Sequence, residues 1–470
     1  MCIRDSTWPF RVAGTVFIAA MVWFCMGFAI KDTGDELSNH MPVFWSLILV
    51  TGVFVVGGAA FAVLLVAAGA RATPTVMIQP LGDEFGWGVD QNALAIGINL
   101  VLFGAMAPFS AALMDRFGMR KVIGTALTAM SLGAAATIWM TALWQLDLLW
   151  GVLIGAATGC LSSPLAAIVA TRWFVERRGL ATGLLSAAYA SGQLIFLPSL
   201  AFVTREAGWQ WAVALVALTA AAAVPLALLL IREYPADRGV PAFGGTVVER
   251  PPRISGNPFG RTLQAVRDAA RTRIFWLLAG TFFICGATTV GIIGTHLIPA
   301  AHDHGIGEVQ AAGLLALIGV FDLIGVTTSG WLTDRWDPAR LLFAFYALRG
   351  LSLFFLPLVL GETALGMAAF VVVFGLDWVA TVPPTVALTV GAFGREQAGV
   401  VFGWIFAAHQ LGAASAAWAG GLVRASADTY VPAFLGTGLL GITAAALTLG
   451  MGSARRGPRI ATPPATTTVT

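Results

Sequence analysis

The sequence predicts an all-α polytopic membrane protein of twelve helices, arranged as two halves of six. Three observations lead to this prediction: the composition, the length of the apolar runs and an internal repeat. Hydrophobic residues make up 58% of the 470 residues, charged residues only 11%, and the mean hydropathy is +0.83. Because one soluble core could not bury this much apolar surface, the chain falls among integral membrane proteins.

Apolar runs of roughly 20 residues, the length that crosses about 30 Å of hydrocarbon as a helix, recur along the chain. The runs are continuous rather than alternating, which favours spanning helices over a membrane barrel of strands. We number the predicted spans one to twelve in chain order. They lie near residues 46–79, 92–113, 121–141, 148–170, 180–202, 209–231, 274–300, 309–333, 341–360, 364–390, 397–423 and 430–451.

The internal repeat is a charged loop. Residues 111–121 follow span two and contain an Asp-Arg pair, and residues 330–340 repeat that pair 219 residues later, after span eight. Gly183 and Gly403 belong to a second pair of similar segments, with an offset of 220. Two repeats with nearly the same offset indicate that a six-span unit was duplicated. Such parallel halves place a substrate site between them, near the middle of the membrane, and rock to give alternating access.

Basic residues are concentrated in alternate loops. The loops after spans two, four, six, eight and ten, together with the C-terminal tail and with Lys121 at the very start of span three, hold 20 of the 27 Lys and Arg residues. Such residues accumulate at the cytoplasmic ends of spanning helices, so we expect both ends of the twelve-span core to face the cytoplasm. The formal charge of +3 is not gathered into a patch, and no nucleic-acid partner is expected.

Residues 44–231 and 274–451 are the two predicted six-helix halves, and residues 232–273 form a cytoplasmic linker between them. The linker is rich in Arg and Pro, which predicts a solvated connection. Two alternatives stay open for residues 261–272: a basic amphipathic helix lying on anionic lipid, or a segment that only keeps the linker soluble.

The two ends of the chain lie outside the predicted halves. Residues 1–43 stay open between an extra spanning helix at 10–30 and an extension upstream of a true start at Met41. The tail, residues 452–470, is rich in Arg, Pro and Thr, and we expect it to be a disordered cytoplasmic segment.

The first charged loop carries a family resemblance. Residues 113–121, Leu-Met-Asp-Arg-Phe-Gly-Met-Arg-Lys, resemble the loop motif of the major facilitator superfamily, usually written G-x-L-x-D-R-x-G-R-R. Ala111 stands where the first Gly of the motif is usual, and Asp337 replaces its second Gly in the later copy. The resemblance covers about 44–451 and implies the twelve-helix major facilitator fold.

Shorter segments point to one branch of that superfamily. Residues 84–87, 173–179 and 208–211 are similar to bacterial relatives of the monocarboxylate and oxalate/formate porters. This resemblance implies secondary transport of small organic anions, often coupled to protons, in the inner membrane of a bacterium. It implies no cofactor, and we expect the protein to function as a monomer in the lipid bilayer.

The charged loops are predicted to gate the transporter. Asp115, at the end of span two, can contact helix N-terminal amides and Arg120 in one conformation and lose them in another. The alternative is that the basic residues of these loops only set the orientation in the membrane. Because the later loop has lost its second Gly, we expect the stronger latch in the N-terminal half. The predicted gating residues are Asp115, Arg116, Gly118, Arg120, Asp334 and Arg335.

Polar residues inside the spans are costly and so predict a substrate site. Arg71 in span one could grip a carboxylate with two parallel hydrogen bonds, and its alternative is to extend outward to the lipid headgroups. His409 offers an imidazole at the middle of span eleven, where a packing role is its alternative. The predicted substrate-binding residues are Arg71, Tyr189, His409 and Gln410.

Three charged residues lie midway along spans eight, nine and ten. Asp322 and Asp377 suit a proton carrier, because burial makes a carboxylate easier to protonate. Arg349 could instead neutralise one of them in a structural pair. The family's transporters often carry an Arg one turn after the span-eight Asp, but Val326 stands there, which moves the expected anion binding to Arg71.

The functional prediction is a secondary transporter of a small monocarboxylate or related organic anion, coupled to protons. An efflux pump for lipophilic or cationic compounds is the alternative within transport. A membrane-embedded enzyme or receptor is disfavoured, since the sequence shows no clustered catalytic set, no appended soluble domain and no phosphate-binding loop. The four Cys residues are scattered without paired spacing, so no metal site is expected.

Overall fold

A computed structural model describes residues 43–87, 89–248 and 257–454. The segment predicted as an extra helix or an upstream extension, and nearly all of the predicted disordered tail, lie outside these residues. The described chain is built from long helices joined by short loops, and the predicted fold class is confirmed.

Twelve spans can be followed in the described residues, and their ends differ from the predicted ones by a few residues. Spans one to six are Val43–Phe85, Val89–Phe117, Met119–Thr137, Leu143–Trp173, Arg178–Ala207 and Trp209–Leu230. Spans seven to twelve are Arg273–Asp303, Glu308–Thr333, Pro338–Val359, 364–393, 395–427 and Val431–Ala454. A linker helix, Pro258–Ala269, precedes span seven.

By length and composition, ten helical stretches of the described chain could each cross a membrane. One of them, Ala364–Ala427, contains spans ten and eleven, because the helix turns back at Gly394, whose φ of 76° is outside the helical range. Met119–Thr137 is the remaining crossing and packs within the first half. Twelve crossings result, as the sequence predicts.

Single glycines make the tightest turns between spans. Gly118 joins spans two and three with a φ of 93°, and Gly208 joins spans five and six with a φ of 98°. Both values lie in the left-handed region, which glycine reaches without steric cost. Antiparallel spans can therefore follow one another with one intervening residue, and this fixes the loops where the charged motif lies.

Span ten is broken in its middle. Its first helix ends at Asp377, and helix resumes at Val382, just before Pro383 and Pro384. Proline lacks a backbone N–H and disfavours helix in the residue before it, so the carbonyls of the preceding turn lose their partners. The break frees backbone groups of residues 377–381 for contacts with other spans.

Each half has its own apolar core. One buried cluster lies mainly in spans one to six and two others mainly in spans seven to twelve, and one of the latter also includes Phe103, Ala107 and Ala167 of the first half. We call the end of the bundle that carries the Arg-rich loops and the linker helix the basic face, and the other end the opposite face. The substrate site predicted from the sequence lies between the two faces.

Candidate functional site

The halves contact each other along two pairs of spans, two against eleven and five against eight. Small residues allow this close approach. A Cβ built on Gly183 would lie 2.6 Å from the carbonyl oxygen of Val326, and one built on Gly403 would overlap the backbone of Pro108. The two glycines of the internal repeat thus lie at equivalent contacts, one in each pair of spans.

We expect Gly403→Ala to weaken closure of the basic face, because its methyl group would collide with the backbone of span two, which cannot move aside alone. Spin labels at positions 121 and 340, one in each half, would report a larger population of long distances than in the wild type. Gly391→Ala is the matched control, since a Cβ there meets nothing within 4 Å. An unchanged distance distribution in Gly403→Ala would contradict this role.

Asp334 makes the clearest polar contact between the halves. Its carboxylate accepts hydrogen bonds from the backbone N–H groups of Gly179 (2.6 Å) and Leu180 (2.9 Å), in the first turn of span five. A carboxylate is favoured there, because the first N–H groups of a helix have no partners within the helix. Arg395 adds a second link at the basic face by donating to the carbonyl of Thr171 at 2.7 Å.

Asp115 does not contact Arg120 as the sequence suggested. It pairs instead with Arg172 at 2.6 Å and with Arg261 of the linker helix at 2.8 Å. The helix N-terminus beside it is capped by Glu233, which accepts from the N–H groups of Met119 (2.5 Å) and Arg120 (3.0 Å).

The sequence predicts the stronger latch in the first half, whereas the direct contact between the halves described here is made by the charged loop of the second half. In this conformation the later copy, Asp334, holds a helix N-terminus across the interface. The glycine missing from its own loop is not needed for that contact, because the N–H groups that donate to Asp334 belong to span five. Arg335 lies over the ring of Trp331 at 4.1 Å and donates to its carbonyl, while Arg116 is exposed. Gly118 has no room for a side chain beside the Glu233 carboxylate.

Loss of hydration at the contact with span five raises the pKa of Asp334 above its ordinary value, against the two amide hydrogen bonds, which lower it. The closed form therefore binds a proton more tightly than a form in which Asp334 is fully solvated. By linkage, acidifying this side favours closure, in the window from the raised pKa down to the ordinary value of 3.8. We expect Asp334→Asn, which keeps an oxygen acceptor, to abolish this pH dependence in spin-label distances across the basic face. A wild-type protein that opens as the pH falls would contradict it.

Between the two faces, Arg71 points into the protein rather than outward to the lipid. Its Nη1 donates to the hydroxyl of Tyr189 in span five at 2.9 Å, and its guanidinium lies over the ring of Phe103 in span two, 4.1 Å from the ring centre. The side chain is only half-buried. A guanidinium fixed on one side by a hydroxyl and a ring keeps donors for a ligand on the other.

The second half contributes the other wall of this region. Phe406 of span eleven meets Phe103 edge to face at 5.8 Å, and the imidazole of His409 stacks on Phe406 at 5.8 Å. Gln410 packs beside Gly104 of span two. Rings and close contacts thus connect all four predicted substrate-binding residues. Sequence reasoning missed Phe103 and Phe406, because aromatic residues within spans usually only face lipid or core.

His409 has an unused polar atom. Its Nδ1 is buried, with no hydrogen-bond partner among the described residues. An unpaired buried nitrogen is costly unless a ligand or water satisfies it.

The buried charges of the second half form a separate network. Arg349, which is fully buried, pairs with Asp377 at 2.6 Å and also donates to the carbonyls of Asp377 and Trp378, at the break in span ten. Asp322 accepts one hydrogen bond, from the N–H of Val379 at 2.9 Å. Among the described residues Arg349 thus pairs directly with Asp377, whereas Asp322 bonds to the backbone of Val379.

Polar contacts at the opposite face join residues of the same half. Trp209 donates to Glu84 at 2.6 Å within the first half, and Arg424 pairs with Asp303 at 2.8 Å within the second. The polar contacts between halves described above lie at the basic face. The halves are therefore closed together at the basic face in this conformation.

Comparison with known proteins decides the family. Residues 59–417 match the sequence profile of the Major Facilitator Superfamily. This chain belongs to the major facilitator superfamily. Superfamily members among its relatives include an uncharacterized MFS-type transporter, YcxA, of Bacillus subtilis (strain 168), 26% identical over 392 residues, which are 80% of this chain and 88% of that protein. Human monocarboxylate transporter 11 is 28% identical over 406 residues, 85% of this chain and 82% of that protein.

Solved structures of the major facilitator superfamily share the fold. The Escherichia coli fucose:proton symporter FucP superposes with a TM-score of 0.63 at 17% identity, over 84% of this chain and 98% of that one. The proton:xylose symporter XylE gives a TM-score of 0.64 at 17% identity, over 85% and 96%. The chain is thus a multi-pass membrane transporter of this superfamily and not an enzyme.

Proposed function

We propose that this transporter moves a small monocarboxylate or related organic anion, coupled to protons, by alternating access between its two halves. The observation that carries the proposal is the guanidinium of Arg71, which Tyr189 and Phe103 of the first half hold with donors to spare, next to Phe406 of the second half. Its relatives named monocarboxylate transporters support the same class of substrate.

A site with one unpaired arginine favours a substrate with a single carboxylate group. Arg349 is the other arginine deep in the spans described above, and Asp377 and two backbone carbonyls already occupy it. Within the described residues Arg71 forms no ion pair with a carboxylate, and its neighbours are a hydroxyl and aromatic rings. A monocarboxylate would neutralise this site, whereas a dicarboxylate would bring a second charge with no counter-ion.

Asp322 is the best candidate for the coupling proton. It is buried, and the contact that the structure gives it is the single N–H of Val379. Asp377 is stabilised as an anion by Arg349. A buried carboxylate outside a direct ion pair exchanges protons more readily with a change of environment than one inside such a pair.

We infer that the closed basic face is the cytoplasmic one, because Arg-rich loops accumulate on that side of a membrane. We propose that the protein works as a monomer in a bacterial inner membrane in this orientation. The contacts of Asp334 with span five, and of Asp115 with the linker helix, would then have to break when the anion is released inward.

Binding and counterflow in proteoliposomes test the substrate class. Labelled lactate or pyruvate should exchange across the membrane, and unlabelled monocarboxylates should compete more strongly than dicarboxylates of similar length. A cationic dye serves as the negative control. Expulsion of the dye without movement of any carboxylate would overturn the proposal in favour of an efflux pump.

A further inference from the structure

The linker helix, Pro258–Ala269, has two faces with different surroundings. Its inner face contacts spans two and eleven. Arg261 pairs there with Asp115 at 2.8 Å, and the carbonyl of Thr262 accepts a hydrogen bond from the indole N–H of Trp404 at 3.1 Å. Asp115 belongs to the first half and Trp404 to the second. The helix therefore bridges the two halves at the basic face.

The outer face carries a stripe of residues at every fourth position. Phe259 and Leu263 are 55% and 56% exposed, although one side of the Phe259 ring packs against Phe109 of span two at 5.2 Å. The exposed side chain of Arg267 follows one turn later, and exposed Arg271 lies in the turn just after the helix. Residues four apart lie above one another on one side of a helix. Phe259, Leu263 and Arg267 therefore line one edge of the helix, and Arg271 adds a second positive charge in the turn that follows it.

The helix also lies where a membrane surface is expected. Three residues separate its end from the start of span seven at Arg273. Trp276, in the first turn of that span, is 62% exposed and donates its indole N–H back to the carbonyl of Ala270 at 2.8 Å. Exposed tryptophans at the ends of spans mark the level of the lipid headgroups.

We propose that the stripe Phe259, Leu263, Arg267 and Arg271 binds anionic phospholipid headgroups, and that this docking holds the linker helix as a strap across the closed basic face. Apolar side chains that enter the interface beside basic ones are the pattern by which amphipathic helices bind anionic membranes. Asp268 is the acidic side chain nearest to the stripe, and its 3.7 Å contact with Arg271 is long and exposed, so it leaves most of the positive charge available.

Hydrogen exchange in nanodiscs tests the proposal on the full chain, without any substrate. Replacing part of the phosphatidylcholine by phosphatidylglycerol should slow exchange of the 259–269 amides by about tenfold, as expected for two screened arginines at an anionic surface. The double variant Arg267→Gln with Arg271→Gln should lose most of this slowing. Both residues are exposed, so the variant should fold normally.

Arg238→Gln is the matched control, because Arg238 is an exposed arginine of the same linker that lies outside the stripe. It should keep the full slowing. Equal exchange in the two lipids, or equal slowing in the double variant and the wild type, would overturn the proposal and leave the stripe a solvated face. Neither result depends on which anion is transported, so the proposed function could fail while this inference holds.

Discussion

Arg71→Gln is expected to weaken carboxylate binding by about 100-fold or more. The variant loses a charge-assisted, two-point contact in a partly buried site, and two such hydrogen bonds account for an effect of this size. Glutamine keeps much of the side-chain length and can still approach Tyr189, so the fold should be preserved. Isothermal titration of the purified protein with lactate or pyruvate would measure the loss, with the thermal unfolding midpoint as a check on folding.

Two further variants separate charge from geometry at the same position. Arg71→Lys keeps the charge but loses the planar pair of donors, so binding should be weakened less than in Arg71→Gln. Tyr189→Phe removes the hydroxyl that accepts from Arg71 at 2.9 Å and should weaken binding by roughly tenfold. Wild-type affinity in Arg71→Gln would show that the guanidinium has only a packing role.

The second large effect concerns the two buried aspartates, because Asp377 is in an ion pair with Arg349 and Asp322 accepts a hydrogen bond from a backbone N–H. Asp377→Asn leaves the fully buried Arg349 without its counter-charge, and breaking a buried pair in this way costs about 3–5 kcal/mol. We expect little folded protein from this variant. Asp322→Asn removes no ion pair, and it should fold, retain counterflow and lose proton-driven accumulation.

A double variant distinguishes a structural pair from a proton site. Arg349→Met combined with Asp377→Asn removes both buried charges together, and such replacements are often tolerated. Recovery of folded protein in the double variant relative to Asp377→Asn would identify the pair as structural. Proton-driven accumulation that persists in Asp322→Asn would exclude Asp322 as the proton carrier.

The span number and the two halves could be predicted because they depend on local properties of the chain. A run of apolar residues predicts a helix in lipid wherever it occurs, and the repeated loop reports the duplication directly. The prolines at 383 and 384 also mark a break in span ten that the structure contains. The approximate depth of each polar residue in the membrane could also be predicted, by counting residues from the ends of its apolar run.

Side-chain partners on neighbouring spans could not be predicted, because depth does not fix rotation about the helix axis. Arg349 had two carboxylates at its depth, and only packing decides that it meets Asp377. Asp115 and Arg172 are 57 residues apart in sequence, and their 2.6 Å contact depends on how spans two and four cross. The loops also change partners during transport, so one sequence must serve more than one set of contacts.

Uptake of radiolabelled lactate or pyruvate into proteoliposomes, with and without an inward proton gradient, tests proton-coupled carboxylate transport most directly. We expect accumulation above the external concentration when the gradient is present, collapse of that accumulation with a proton ionophore, and no accumulation by Arg71→Gln. Uptake that only equilibrates whatever the gradient, or equal accumulation by the wild type and Arg71→Gln, would contradict a proton-coupled carboxylate transporter built around Arg71.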